Sequence, residues 1–143
     1  MIGRWLVPLA CLMAWGCTSA CVLDDDLRQF AGDDARDCGT TGSAETRGPV
    51  DECVAEAFEA GEPFIARYER MGIDSKLVTA QASNGQDIKV FQWDSAPCGG
   101  PGCDPVTDVH SCLEPSLNAE TSEDPDALPI SCKKFGLPER LCQ

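Results

Sequence analysis

Cysteine is the residue type that most restricts how this chain can fold. The sequence has 10 cysteines among 143 residues. A content this high indicates a small fold that is cross-linked by disulfides in an oxidising compartment. The length suits one modest domain, whose core is small enough to need such cross-links. The sequence therefore predicts a single disulfide-stapled domain.

The N-terminal segment 1–16 has the anatomy of a signal peptide. Arg4 forms a short positive region, and residues 5–15 follow as an uncharged apolar run. The run is shorter than the roughly 20 residues that a membrane-spanning helix needs, and aspartates follow it closely at 24–26. We therefore expect an exported protein that loses this segment.

Two ways of removing the signal stay open. Residues 12–17, Leu-Met-Ala-Trp-Gly-Cys, resemble the lipobox of bacterial lipoproteins, because a small residue directly precedes a cysteine at the end of the apolar run. The resemblance implies that the sulfur of Cys17 is acylated and that Cys17 becomes the new N-terminus. Residues 18–20, Thr-Ser-Ala, before Cys21 form a second lipobox candidate or an ordinary cleavage site. Lipidation tethers the protein to an envelope, whereas ordinary cleavage releases it.

The number of cysteines narrows these alternatives, because an unpaired thiol is a liability in an oxidising compartment. If Cys11 leaves with the signal and Cys17 carries the lipid, eight cysteines remain to pair: Cys21, Cys38, Cys53, Cys98, Cys103, Cys112, Cys132 and Cys142. Acylation of Cys21 would leave an odd number. Ordinary cleavage after Ala20 also leaves eight, so both routes stay open, and we favour the lipid on Cys17. Among the possible pairings we expect Cys38 with Cys53 and Cys112 with Cys132.

The exported chain divides by composition into three parts. Residues 17–37 are rich in aspartate and have little to bury beyond Leu27 and Phe30, which predicts an acidic tether or a short surface helix. Residues 38–114 carry the apolar patterns of an α+β core domain. Residues 115–143 are polar and acidic at first, which predicts an irregular segment that its two cysteines fasten to the core.

The core segment predicts one helix followed by an antiparallel meander. Residues 50–61 have one apolar stripe at helical spacing, with Pro49 at the helix start and Gly61 at its end. The period then changes to two, and Asn84-Gly85 predicts a tight hairpin turn. The predicted strands span 64–69, 76–83, 88–93 and 106–112, the first of them half-buried. We expect an α+β fold in which one helix packs on a three- to four-stranded antiparallel meander, with irregular acidic tails.

This core segment is similar to small cysteine-containing lipoproteins and secreted proteins of predatory and soil delta-proteobacteria. The likeness rests on Asp37-Cys38-Gly39, the helix, Pro63-Phe64, Gly72-Ile73-Asp74-Ser75, Trp93-Asp94-Ser95 and Cys112. It implies an envelope or secreted location and this architecture, but no particular activity. The pair Cys98 and Cys103 departs from the family pattern.

That additional pair lies in a loop, 94–103, that is too rich in glycine and proline for regular structure. The two cysteines are close enough in sequence to pair with each other. Together with Cys112 and His110 they also form a conceivable zinc set, since thiolate and imidazole are zinc ligands. Their spacing and the oxidising compartment favour disulfides instead. We therefore expect no metal and no cofactor.

The side chains that could catalyse a reaction form no recognisable motif. Asp74 and Asp94 would meet as a hydrolase pair if the strands fold as predicted, but aspartate in such turns commonly binds its own backbone. Ser75 or Ser111 would need His110 as a base, and His110 and Ser111 face opposite sides of one strand. We therefore expect a protein without catalytic residues.

Charge restricts the partners. The chain has 24 acidic and 11 basic residues, a net charge of −13 and 1 histidine. Nucleic acids require a basic surface, and an anionic membrane would repel this one. We expect no nucleic-acid binding, and membrane contact only through an N-terminal lipid.

The sequence thus predicts a lipoprotein tethered to a bacterial envelope that acts as a binding or structural module toward an unknown protein or envelope component. One alternative is a freely secreted inhibitor of an exogenous hydrolase that presents the loop closed by Cys98 and Cys103. Another is a small envelope hydrolase that uses Asp74, Asp94 or His110. The inhibitor would differ from the lipoprotein in its location, and the hydrolase would differ from it in being catalytic.

Overall fold

A computed structural model describes residues 21–100, 102–118 and 127–141, which form an α+β domain. The helices are α1 (Leu23–Ala31) and α2 (Ala44–Ala60). The strands are β1 (Arg36–Thr41), β2 (Phe64–Met71), β3 (Lys76–Ser83), β4 (Ile88–Asp94), β5 (Val106–Leu117), β6 (Ile130–Phe135) and β7 (Glu139–Arg140). The predicted α+β class is confirmed, with a sheet of seven strands in place of three to four and two helices in place of one. The predicted signal peptide, 1–16, and the cysteines Cys17 and Cys142 lie outside the described residues.

The strands form one sheet in the order β1-β2-β3-β4-β5-β6, and β7 also pairs with β5. β1 and β2 run parallel with α2 as their connection, which makes a β-α-β unit. All other pairs are antiparallel. The predicted meander is therefore present, with a parallel strand added at one edge and two short strands at the other.

The two helices cover opposite faces of the sheet. Phe64 and Ala66 pack in the cluster beneath α2, whereas Ile65 packs in the cluster beneath α1, and all three are fully buried. Successive strand residues point to opposite faces, so β2 is covered on both sides at its start. The prediction of a half-buried strand at 64–69 is wrong there.

The segment 17–37, predicted as an acidic tether or a short surface helix, belongs to the folded domain from Cys21 onward and contains helix α1. Leu27 is fully buried between α1 and the sheet, and Leu23 and Phe30 pack against the same cluster. The aspartates at 24–26 lie in the first helical turn, where the helix dipole favours negative charge. The acidic residues thus form the outer side of an amphipathic helix. Its last residues lead directly into β1.

Helix α2 begins at Ala44, six residues before the predicted start. Pro49 lies inside the helix rather than at its first position, so one intrahelical hydrogen bond is missing there. The helix ends as predicted at Gly61, which adopts the left-handed conformation (φ 66°).

The C-terminal segment predicted to be irregular, 115–143, contains regular structure. β5 continues to Leu117 and pairs with β6. Beyond Cys112 this part of β5 has no partner in β4, and Pro115 is tolerated there because the missing N–H faces no neighbouring strand on that side. The segment is ordered by pairing with a strand some 20 residues away in sequence rather than by its own composition.

Three disulfides connect the described elements. Cys38–Cys53 joins β1 to α2 with a Cα–Cα distance of 5.5 Å, and Cys112–Cys132 joins β5 to β6 at 5.1 Å. Both pairs are the ones expected from the sequence. Cys98–Cys103 closes the loop between β4 and β5 at 5.9 Å. Disulfides of this number indicate an oxidising, extracellular-type environment.

Candidate docking site at the loop end of the sheet

Two segments that the sequence singles out meet at one end of the sheet. They are residues 71–75, which comprise the last residue of β2 and the β2–β3 connection, and the loop 95–103; together we call them the loop end. A cavity of about 500 Å³ lies between them. Its lining is formed by Asp74, Ser95, Ala96, Gly99, Gly100, Gly102 and Cys103. The structure therefore brings Asp74 and the disulfide-closed loop into one site.

Hydrogen bonds fix the loop to the sheet. The backbone N–H of Lys76 donates to Ser95 Oγ (2.8 Å), and the Ser95 N–H donates to the Lys76 carbonyl (3.0 Å). Within the loop, the Gly99 N–H donates to the Ala96 carbonyl (2.9 Å). Gly99 has a φ of 75°, a conformation that a side chain would strain. The disulfide and these bonds fix the described part of the loop, residues 95–100 and 102–103, to the sheet.

Asp94 does not share the cavity lining with Asp74. One Asp94 carboxylate oxygen accepts the backbone N–H of Ala96 (2.9 Å), which is the local turn contact that the sequence favours at this position. Asp74 is one of the residues that line the cavity. The arrangement gives a cavity with one carboxylate rather than a facing pair.

His110 lies on β5, away from the loop end. Its ring meets Phe135 edge to face, with 5.9 Å between ring centroids. The neighbouring Ser111 is exposed and faces the other side of the strand. Of the conceivable zinc set, Cys98, Cys103 and Cys112 are all in disulfides, as their spacing favours. Within residues 21–100, 102–118 and 127–141, no group of three His, Cys, Asp or Glu side chains is arranged to hold a metal.

Sequence reasoning missed a polar groove of about 270 Å³ on the face covered by α2. Tyr68 donates to Asp51 Oδ1 (2.9 Å), Arg47 Nε donates to Asp51 Oδ2 (2.9 Å), and the Arg47 guanidinium lies 5.3 Å from the Tyr68 ring centroid. Burial and the adjacent Asp51 charge raise the pKa of Tyr68 far above its ordinary value, so its hydroxyl stays protonated. The rest of the groove is lined by Glu69, Arg70, Thr79, Val90, Gln92, Leu128 and Phe135.

A charged network joins α1 to β1 and β2 of the sheet. Arg67 donates to Asp24 Oδ1 (2.7 Å) and to Asp37 Oδ1 (2.8 Å), while Arg28 donates to Asp37 Oδ2 (3.0 Å). Burial alone would raise the pKa of Asp37. Hydrogen bonds from Arg67 and from the Gly39 N–H, together with both guanidinium charges, more than offset that effect and hold the pKa below its usual range.

This shift predicts an acid-dependent contribution to stability. Because the pKa of Asp37 is lower in the folded state, its stabilisation is present above about pH 4 and is lost as the pH falls through the folded value. The Asp37→Asn variant is expected to be less stable at neutral pH by up to about 1 kcal/mol, and to lose less stability on acidification. Urea unfolding at several pH values measures both effects, and parallel pH profiles for the two proteins would contradict the assignment.

Fold and site together define a small disulfide-bonded α+β domain. No protein-family model matches the chain, and no curated protein and no solved structure is significantly similar to it. Among the described residues, no helix is long and apolar enough to cross a membrane.

Proposed function

We propose that this protein is an exported bacterial lipoprotein, anchored through Cys17, whose folded domain is a non-catalytic binding module. The observation that carries the proposal is the state of Cys21. Its side chain is buried, its sulfur lies 3.2 Å from Thr107 Oγ1, and it is disulfide-bonded. A sulfur in a disulfide has no valence left for a lipid, which argues against Cys21 as the lipidated cysteine and supports Cys17 among the two lipobox candidates.

The same observation restricts the pairing of the last cysteines. The other six described cysteines pair with one another, so the partner of Cys21 lies outside the described residues. Cys11 leaves with the signal peptide, and a lipid occupies Cys17. The proposal therefore requires a disulfide between Cys21 and Cys142.

Several contacts support binding rather than catalysis. The Asp94 carboxylate is held by its own turn, His110 packs on Phe135, and Tyr68 is half-buried with a hydroxyl that stays protonated. The loop end, in contrast, combines a preformed shape with exposed apolar side chains, among them Ile73, which is fully exposed. A rigid surface loses little conformational entropy when a partner binds.

The location is tested by fractionating cells that express single variants. Cys17→Ser is expected to move the protein from the membrane fraction to the soluble exported fraction, because the acylated sulfur is gone. Cys11→Ser is the matched control and should leave the protein with the membranes, since residue 11 is removed with the signal. Membrane association that is unchanged in Cys17→Ser would contradict the proposal.

A second candidate function is the secreted inhibitor. It is favoured by the loop 95–103, which is closed by Cys98–Cys103 and fixed to Lys76 by two hydrogen bonds. Replacement of residues 96–103 by a Gly-Ser linker of equal length is expected to abolish inhibition of any hydrolase that the intact protein blocks. Unchanged inhibition by the loop-replaced protein would exclude this role.

A further inference from the structure

We infer that the loop end of the domain faces the lipid bilayer in which Cys17 is anchored, and that Met71 and Ile73 contact the membrane surface. The inference rests on the proposed function, because it needs the lipid on Cys17. It goes further by naming the surface that occupies the loop end. From the sequence, the N-terminal lipid is the only expected membrane contact. The inference adds a second contact, through Met71 and Ile73.

The first step is the length of the connection. Cys17 is four residues before Cys21, which is packed into the domain. Four residues of fully extended chain span at most about 14 Å. A lipid on Cys17 therefore holds the part of the domain around Cys21 within about 14 Å of the bilayer, whatever conformation these residues adopt.

The second step is the position of Cys21 in the fold. Its sulfur contacts Thr107, and its carbonyl accepts a hydrogen bond from Trp93 Nε1 (3.4 Å). Trp93 and Thr107 are paired across β4 and β5. Trp93 is the residue before the last one of β4, and Thr107 is the second residue of β5. The loop 95–103 connects these same two strand ends. Cys21 therefore lies at the loop end of the sheet and not at the opposite end.

The third step is how far the loop end projects. Trp93 pairs with Val78 on β3, and the Met71–Lys76 pair lies two residues further toward the β2–β3 turn. Two strand residues span about 7 Å, and the turn extends beyond them. The β2–β3 turn therefore extends beyond Cys21, along the strand direction, by a distance comparable with the span of the chain between Cys17 and Cys21. A bilayer within reach of Cys17 is also within reach of Ile73.

The fourth step is the chemistry of the projecting residues. Ile73 is 100% exposed and Met71 is 82% exposed. Val22, beside Cys21, and Leu141, whose N–H donates to the Thr107 carbonyl, are further exposed apolar residues at this end. Apolar side chains on a convex turn are stabilised by insertion into the boundary between headgroups and acyl chains. The many carboxylates of the chain favour a zwitterionic over an anionic surface.

Met71 provides the test without any substitution. The chain has 3 methionines, and Met71 is the only one beyond the predicted signal peptide. Hydrogen peroxide transfers one oxygen atom to the methionine sulfur and leaves water, which adds one oxygen to the mass of the protein. The acylated protein is reconstituted on phosphatidylcholine vesicles, and the unacylated Cys17→Ser protein with the same vesicles is the control. The rate of oxidation is followed by the mass of the proteolytic peptide that contains Met71, and intact mass verifies acylation.

Membrane contact is expected to slow the oxidation of Met71 at least roughly threefold in the acylated protein, because a side chain in the interface lies about 5–10 Å below the headgroup surface. Equal rates in a protein whose acylation is verified would overturn the inference and leave the proposed function standing. A mature chain without acyl groups would overturn both.

Tryptophan variants measure the orientation independently. Ile73→Trp places an indole at the loop end, and Leu117→Trp places one at the far end of β5, where Leu117 is 37% exposed. On vesicles that contain brominated phosphatidylcholine, we expect the fluorescence of the tryptophan introduced by Ile73→Trp to be quenched roughly twofold, because that side chain lies in the membrane interface. The added emission of Leu117→Trp should be unchanged. Equal quenching of the two variants, or quenching of Leu117→Trp alone, would overturn the inference.

Discussion

Leu27→Ala is expected to lower the free energy of unfolding by about 2 to 5 kcal/mol, which is the usual cost of removing a buried leucine side chain. Leu27 is fully buried in the cluster that α1 forms with Ile65, Ala80, Ala82, Phe91 and Val109. Removing its side chain leaves a cavity beneath a helix that has few other large apolar residues to hold it on the sheet. Denaturant unfolding followed by circular dichroism measures the change.

Val22→Ala is the matched control, because Val22 lies just before the same helix and is 48% exposed. Its effect should stay within about 0.5 kcal/mol, as for most surface positions. If Leu27→Ala is as mild as this control, residues 23–31 are a tether that does not contribute to the core, and the position of α1 is wrong.

Gln81→Leu is expected to destabilise the domain by about 2 to 4 kcal/mol, because it leaves two buried backbone groups without partners. Gln81 is fully buried on the central strand β3, and its side-chain amide makes both hydrogen bonds with the backbone of Ile130. The amide N–H donates to the Ile130 carbonyl (2.6 Å), and the Ile130 N–H donates to the amide oxygen (3.3 Å). Leucine preserves the volume but offers neither group a partner.

The control for this variant is Gln92→Leu. Gln92 is an exposed glutamine on the adjacent strand β4. Its replacement should change the free energy of unfolding by no more than about 0.5 kcal/mol. Equal effects of the two substitutions would show that the amide of Gln81 does not hold β6 against the sheet.

Gln81 also illustrates what the sequence could and could not predict. Its strand, 76–83, is predicted with the observed bounds because the apolar alternation and the Asn84-Gly85 turn are local signals. A polar residue in the middle of that strand carries no local sign that a backbone segment about 50 residues away will cover it. The partner, Ile130, lies in a polar and acidic stretch for which composition predicts no structure.

Helix α1 is a different case, because its signal was present. Leu23, Leu27, Phe30 and Ala31 have the spacing of one helical face. The six aspartates between 24 and 37 dominate the composition and favour a solvated tether when they are weighed alone. Reading the apolar spacing before the net charge predicts a packed helix. The parallel pairing of β1 with β2, in contrast, depends on tertiary contacts and has no local signature.

At the candidate site, the sequence identified the parts but not their arrangement. The loop closed by Cys98 and Cys103 and the turn that contains Asp74 were each singled out, and the structure places them on one cavity. Their meeting depends on the antiparallel register that puts Leu77 opposite Asp94. The groove beside Tyr68 was missed, although Tyr68, Thr79 and Gln92 fall on one side of three predicted strands. Polar residues in register on adjacent strands are the signal that would have found it.

Two disulfides join pairs of elements whose contact has no local signal in the sequence. Cys38–Cys53 ties the edge strand β1 to α2, and Cys112–Cys132 ties β6 to β5. Each closes a loop of 15 or 20 residues, for which restriction of the unfolded chain contributes about 3 kcal/mol. A domain with so small a core depends on such cross-links, and it keeps them only in an oxidising compartment.

The intact mass of the mature protein, before and after reduction, tests the central claim most directly. The protein is isolated from a bacterial host that carries the lipoprotein modification enzymes. The account predicts a chain that begins at Cys17, is heavier by its acyl groups, and gains eight hydrogens when its eight remaining cysteines are reduced. An unmodified chain that begins at Cys21 would contradict the lipid anchor and make the protein a diffusible secreted one. A smaller gain on reduction would contradict the complete pairing on which the assignment of Cys17 depends.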